Sequence, residues 1–176
     1  MEIFGFVVPM GPWDLAAYFA FLLTTVGVFW KKHGGLLMTV SAFILILSAW
    51  FGLHNALLAT LQSLVFVAGV FQVTKLQKNA AAFALIMLTI IAFYGLLKTN
   101  TITGLDSTSI GALGLVLLVF GLLLFPSKSA FYLNATACIP LLWYSYAVGA
   151  WVFVALNVVF FLANAYQIKN FISAQK

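Results

Sequence analysis

Seven apolar runs, each close to 20 residues long, occupy most of this chain of 176 residues. A helix needs about 20 mostly apolar residues to cross the hydrocarbon core of a bilayer. Only 6% of the residues are charged and 65% are apolar, whereas about a quarter of an ordinary soluble domain is charged. The sequence therefore predicts an all-α polytopic membrane protein with seven transmembrane helices, in the runs 12–30, 35–51, 54–74, 79–98, 109–125, 129–147 and 148–169.

The charged residues predict how these helices are oriented. The chain has eight lysines and no arginine, and with seven spans all but Lys98 fall on one side of the membrane. The other side receives Lys98 together with the acidic residues Glu2, Asp14 and Asp106. Because basic residues accumulate in cytoplasmic loops, the N-terminus is predicted to lie outside and the C-terminus in the cytoplasm. The lysines of the cytoplasmic side are Lys31, Lys32, Lys75, Lys78, Lys128, Lys169 and Lys176.

Several function classes are disfavoured by where the charged residues lie and by the motifs that the sequence lacks. The lysines lie at the ends of apolar runs, as topology signals do, so the net charge of +5 does not predict nucleic-acid binding. No nucleophile, base and acid motif is present, so no enzymatic activity is predicted. One cysteine, Cys138, cannot form a cysteine-based metal site, and His33 and His54 are predicted to lie on opposite sides of the membrane, so neither a metal nor another cofactor is expected. No acidic residue falls within a predicted span, which favours passive over ion-driven transport.

A weak internal repeat appears when the chain is shifted by 95 residues. The third run reads Gln62-x6-Gly69-x2-Gln72, and the seventh reads Asn157-x6-Asn164-x2-Gln167. Positions i and i+7 share a helix face, so each helix is predicted to direct a stripe of amides to one side. The repeat predicts two parallel three-helix units, 12–75 and 107–170, within a single membrane domain. The linker helix 79–98 joins them, and a pseudo-twofold axis along the membrane normal relates them.

This 3+1+3 arrangement, with an amide in the third and seventh helices, resembles the SWEET sugar facilitators and their PnuC-type vitamin-transporting relatives. In length and in the pattern Gly149-x7-Asn157-x6-Asn164-x2-Gln167 the chain is also similar to the YgjV-type family of the bacterial inner membrane. The resemblance implies that Gln62 and Asn157 form a substrate-binding amide pair and that Trp50 and Trp143 form an aromatic pair. It also implies a location in the bacterial inner (plasma) membrane.

The candidate substrate-binding residues are Gln62, Asn157, Trp50, Trp143, Asn134 and Asn164. Two alternatives stay open for them: the amides could serve as hydrogen bonds between helices, and the tryptophans could belong to an aromatic belt at the membrane surface. The predicted function is passive or facilitative transport of a small neutral solute, such as a sugar or a vitamin-like molecule. The alternative is an accessory or structural subunit of a larger membrane complex without transport activity. Expected partners are the lipid bilayer, the solute, and further copies of the chain or a larger complex.

Overall fold

The structure is a computed structural model, and it describes residues 2–3, 6–7, 11–29, 34–74, 78–98, 106–124 and 127–173. In these ranges a short antiparallel hairpin, β1 (Glu2–Ile3) and β2 (Phe6–Val7), precedes seven helices. The helices are α1 (Pro12–Phe29), α2 (Gly34–Leu47) with a π-helical turn (Ser48–Gly52) at its end, α3 (Ala56–Thr74), α4 (Lys78–Lys98), α5 (Ser107–Leu124), α6 (Lys128–Ala147) and α7 (Trp151–Ser173). The all-α class with seven helices is confirmed, and the bounds lie within four residues of the apolar runs.

Side-chain caps determine where several helices begin. At α1, Gly11 donates its N–H to Asp14 Oδ2 at 3.0 Å, while Pro12 occupies the first helical position, where its missing N–H costs nothing. Three further helices begin after a residue whose side-chain oxygen accepts a backbone N–H three residues on: Asn55 for α3, Asp106 for α5 and Ser127 for α6. The hydrogen bond from the Ser109 N–H holds the pKa of the Asp106 carboxyl below its usual value.

Six of the helices form a closed ring. Contacts run from α1 to α2, from α2 to α3, from α5 to α6 and from α6 to α7, and the ring closes where α3 meets α5 and α7 meets α1. Within the described residues the backbones of α1 and α3 are not neighbours, nor are those of α5 and α7. Helix α4 lies outside the ring, and among the described helices its backbone neighbours are α3 and α5.

The two ends of this ring carry different groups. We call one the aspartate end, because α1 begins beside Asp14 there and α5 follows Asp106. The Trp13 and Phe51 rings stack there with centroids 5.4 Å apart. We call the other the lysine end, since α6 begins at Lys128 and α7 carries Lys169 in its last turns. The other lysines predicted to be cytoplasmic, at positions 31, 32, 75 and 176, lie outside the described residues, as does the side chain at position 78.

Apolar side chains cover the outside of the bundle, and small polar side chains lie within it. On α1 the residues Leu15, Phe19, Leu22 and Val26 recur on one exposed face, whereas Thr24, Ser41 and Asn157 are among the buried polar residues. The interior is still mostly apolar, but so extensive an apolar outer surface is rare in soluble proteins and is compatible with a membrane protein. In the described part, three helical segments are long and apolar enough to cross a membrane, and two apolar helices are shorter: Gly35–Gly52, Ser107–Leu124 and Trp151–Ser173, then Ala56–Phe71 and Ala82–Lys98.

Buried hydroxyl groups join the first two helices. Ser41 on α2 donates its hydroxyl to the Ala20 carbonyl oxygen of α1 at 2.7 Å and also contacts the Thr24 hydroxyl. Nearer the aspartate end, Ser48 donates to the Trp13 carbonyl oxygen at 2.9 Å. Such contacts contribute about 0.6 kcal/mol each on average between membrane helices, so they fix how α1 and α2 pack more than they stabilise the fold.

Candidate functional site

A cavity of about 390 Å³ lies inside the ring, in the half nearer the lysine end. Residues of α2, α3, α5, α6 and α7 form its wall. It reaches Gln167 and Phe171, which are partly exposed at the lysine end. Its volume is within the range of small-molecule sites, roughly 300–1,000 Å³. The described residues of the wall include no charged side chain, and its polar groups are mainly five carboxamides: Gln62, Asn134, Asn157, Asn164 and Gln167.

Four of the six residues singled out from the sequence meet at this cavity. Gln62 reaches it from α3, Asn134 from α6, and Asn157 and Asn164 from α7. The side chains of Gln62 and Asn157 are only 3% and 5% exposed. Because burying an amide away from water is costly unless it finds hydrogen-bonding partners, four amides lining one apolar cavity make it the strongest candidate binding site in the described structure.

The two tryptophans are placed elsewhere. Trp50 lies in the π-helical turn and Trp143 near the end of α6, and neither lines the cavity. Both side chains lie on the outer surface near the aspartate end, 57% and 56% exposed. Their positions are typical of aromatic residues at a membrane surface.

The cavity wall also contains residues that were not among the sequence candidates. Gln167 follows Asn157 and Asn164 along one face of α7, and the amide spacing of the seventh run already indicated this stripe. Phe131, Phe160 and Phe171 contribute aromatic surface, and the single cysteine, Cys138, lines the wall as well. The chain has 18 phenylalanines, so no sequence signal separates these three from those that face outward.

The amides of α7 are held by their own helix. Asn157 donates from Nδ2 to the Phe153 carbonyl oxygen at 2.8 Å, and a longer contact of 3.4 Å joins Nδ2 to the Ser145 hydroxyl of α6. Asn164 likewise donates from Nδ2 to the Phe160 carbonyl oxygen at 2.7 Å. These contacts use amide hydrogens and leave the amide oxygens as acceptors.

Asn134 is held differently. Its Oδ1 is buried without a hydrogen-bonding partner and lies against the backbone of Gly121 on α5, where a Cβ would overlap it. Gln62, on α3, makes no side-chain hydrogen bond within the described residues. The site therefore contains buried polar groups whose hydrogen-bonding capacity the protein itself does not use, which is a property of ligand sites.

Between the cavity and the aspartate end the ring is closed by packed side chains. Leu57, Leu115 and Phe153 are fully buried there. The Tyr144 hydroxyl of α6 donates to Asn55 Oδ1, just before α3, at 3.0 Å. A second void near this end, of about 30 Å³, has room for a water molecule and little more. The structure thus has a cavity towards one end and a closed barrier towards the other.

No protein-family model, curated protein or solved structure matches this chain. Within the described residues no group of three or more His, Cys, Asp or Glu side chains could hold a metal ion. The groups that the described wall offers to a ligand are its amides and its apolar side chains.

Proposed function

We propose that the chain is a passive or facilitative transporter of a small neutral solute, and that it crosses the bilayer seven times with its N-terminus outside. One observation carries the proposal: amides from α3, α6 and α7 converge on one cavity inside the ring, and no charged side chain lines its described wall. An amide both donates and accepts hydrogen bonds without carrying a charge, so it can bind a polar solute in a membrane without the cost of a buried ion.

The ring supports the proposed repeat of two three-helix units, 12–75 and 107–170. If α1, α2 and α3 are exchanged with α5, α6 and α7, every contact in the ring maps onto another contact, and the α3–α5 contact maps onto α7–α1. The same exchange relates Gln62 to Asn157, and both line the cavity. These features favour the SWEET-like arrangement, with α4 as the linker.

The mechanism that follows from this arrangement is alternating access. The cavity extends to the lysine end, which is cytoplasmic in the proposed topology, and packed side chains close the aspartate end. A rocking movement of the two units would close the first end and open the second. Because no charged group lines the described wall, nothing there couples this movement to an ion.

The experiment compares three variants in proteoliposomes, each with one amide side chain replaced by leucine. Gln62→Leu and Asn157→Leu remove an amide from the cavity, while Asn170→Leu makes the same change at an exposed position of α7. Light scattering would follow the entry of neutral solutes from a panel of sugars, amides and vitamin-like molecules. We expect wild type and Asn170→Leu to speed the entry of at least one solute, and the two cavity variants to lose this activity while still eluting as monodisperse protein.

Two outcomes would contradict the proposal. If the cavity variants fold and conduct like wild type, the cavity is not the route. If wild type conducts nothing and co-purifies from mild detergent with larger chains, the accessory-subunit function is correct. A failure of both cavity variants to fold would assign the amides to helix packing and equally reject their role in binding.

A further inference from the structure

We propose that the cavity selects a neutral solute bearing a lactam or amide group on an apolar body, in preference to a polyol. This inference rests on the proposed function, because it names the substrate class of the same site. It is carried by the direction in which the amides of α6 and α7 are held. Helix α7 offers hydrogen-bond acceptors, the neighbouring helix α6 offers a donor, and most of the remaining surface is apolar.

The acceptors come from α7. The Nδ2 groups of Asn157 and Asn164 are committed to carbonyl oxygens one turn earlier in the same helix. Their Oδ1 atoms have no hydrogen-bonding partner within the described residues and are not among the fully buried unpaired atoms. They are therefore accessible from the cavity that both residues line, where they can accept an N–H or O–H from a solute.

The donor comes from Asn134 on α6. Its side chain is 8% exposed, and its Oδ1 occupies the space that the missing side chain of Gly121 leaves on α5. With the oxygen turned to α5, the Nδ2 group is the part of the amide left for the cavity. Gly121 is thus a positioning residue. The carbon of a methyl group there would overlap Asn134 Oδ1 and would also lie only 3.3 Å from the Ala130 carbonyl oxygen. Because the added carbon has no room to move away, Asn134 Oδ1 would be displaced.

The rest of the wall disfavours a polyol. Phe131, Phe160 and Phe171 and several aliphatic side chains cover most of it. A sugar carries hydroxyl groups around its whole ring, and each one facing this surface would lose its hydrogen bonds to water without replacement. A lactam has one N–H and one carbonyl side by side, and the remainder of the molecule is apolar. It can therefore satisfy an acceptor and a donor while its other surface packs against the phenylalanines.

Calorimetric titration of the purified full chain in nanodiscs would test the inference with three probes of defined chemistry. These are 2-pyridone, its N-methyl derivative, which lacks the donor, and glucose. We expect 2-pyridone to bind, N-methylation to weaken binding at least about tenfold, and glucose to give no measurable heat. Asn157→Leu should remove most of the preference for 2-pyridone over the N-methyl compound, because that preference depends on the acceptors of α7.

The role of Gly121 has its own variants. Gly121→Ala should weaken 2-pyridone binding to about the extent of Asn134→Ala, whereas Gly95→Ala, where the added methyl group meets open space, should leave it unchanged. If Gly121→Ala fails to fold, the double variant Gly121→Ala/Asn134→Ala removes the overlap. It should fold and bind no better than Asn134→Ala.

Binding of glucose in preference to 2-pyridone would overturn the inference and leave the transport proposal intact. Binding of neither probe would also overturn it, while the liposome measurements decide separately whether the chain conducts any neutral solute. Binding of 2-pyridone without flux would support the inference and reject transport.

Discussion

The hydroxyl of Tyr144 gives a quantitative test of alternating access. It donates to Asn55 Oδ1 at 3.0 Å and so joins α6 to the start of α3 across the closed aspartate end. Tyr144→Phe removes this hydrogen bond and keeps the ring. Asn55 Oδ1 also accepts the Leu58 N–H at 3.0 Å, so the substitution leaves no unpaired acceptor behind.

The expected magnitude follows from that geometry. Because Asn55 stays paired, the variant loses the hydrogen bond alone, and hydrogen bonds between membrane helices contribute about 0.6 kcal/mol on average and at most about 1.7 kcal/mol. If the contact exists only when the aspartate end is closed, its loss shifts the free-energy difference between the closed and open states by the same amount, in favour of the open state. At 25 °C this is a factor between about 3 and about 18.

Cys138 makes the open population measurable, because it is the only cysteine in the chain and lines the cavity. A membrane-impermeant thiol reagent added on the side of the aspartate end reaches it only when that end opens, so the labelling rate follows the open population. Tyr144→Phe should raise this rate by the factor of about 3 to about 18 given above, whereas Tyr146→Phe, at an exposed position two residues on, should not. An unchanged rate in Tyr144→Phe, or an equal rise in both variants, would refute the reasoning.

Three further predictions concern other parts of the chain. Gly69→Ala would overlap Thr39 on α2 and should destabilise the protein by about 1–3 kcal/mol, seen as a lower melting temperature. Gly95→Ala in α4 should be neutral or stabilising, so an equal loss of melting temperature in the two variants would contradict the packing. Reaction of Cys138 with N-ethylmaleimide should fill part of the cavity and block solute entry, and Cys138→Ala should be resistant; a block in both would place the effect elsewhere. Asp106→Ala should lower the melting temperature at neutral pH, where the carboxylate caps α5. Because the folded-state pKa of Asp106 is lowered, this stabilisation is lost as the pH falls through that pKa. A difference in melting temperature between wild type and Asp106→Ala that persists in strong acid would contradict the role of the carboxylate as a cap.

The helix bounds could be predicted because the thickness of a bilayer sets the length of an apolar run that crosses it. The amides of α7 could also be predicted, since their spacing of seven and three residues repeats on one helix face. The tryptophans could not be placed in this way. Trp143 precedes Tyr144, and one residue turns a helix by about 100°, so the buried Tyr144 faces the ring interior while Trp143 faces outward.

Other parts of the site depend on contacts that no local pattern contains. Trp50 lies in a π-helical turn, and such a turn changes which face the following side chains occupy. The orientation of the Asn134 amide depends on Gly121 from a neighbouring helix. Glycine is common in apolar helices, so nothing in the sequence distinguishes Gly121 as the partner of a cavity amide.

The position of α4 outside the ring has a consequence for how freely its sequence can change. A unit of three helices ends on the opposite side of the bundle from its start, so one more helix is needed before a second unit can run in the same direction. In the proposed repeat helix α4 has this role, and no described residue of it lines the cavity. The side chains at its outward positions, such as Phe83, Ile90 and Tyr94, have only to be apolar, so that the helix suits a bilayer. In a library of random substitutions these positions should accept most apolar residues, while the cavity positions of α3 and α7 should accept few.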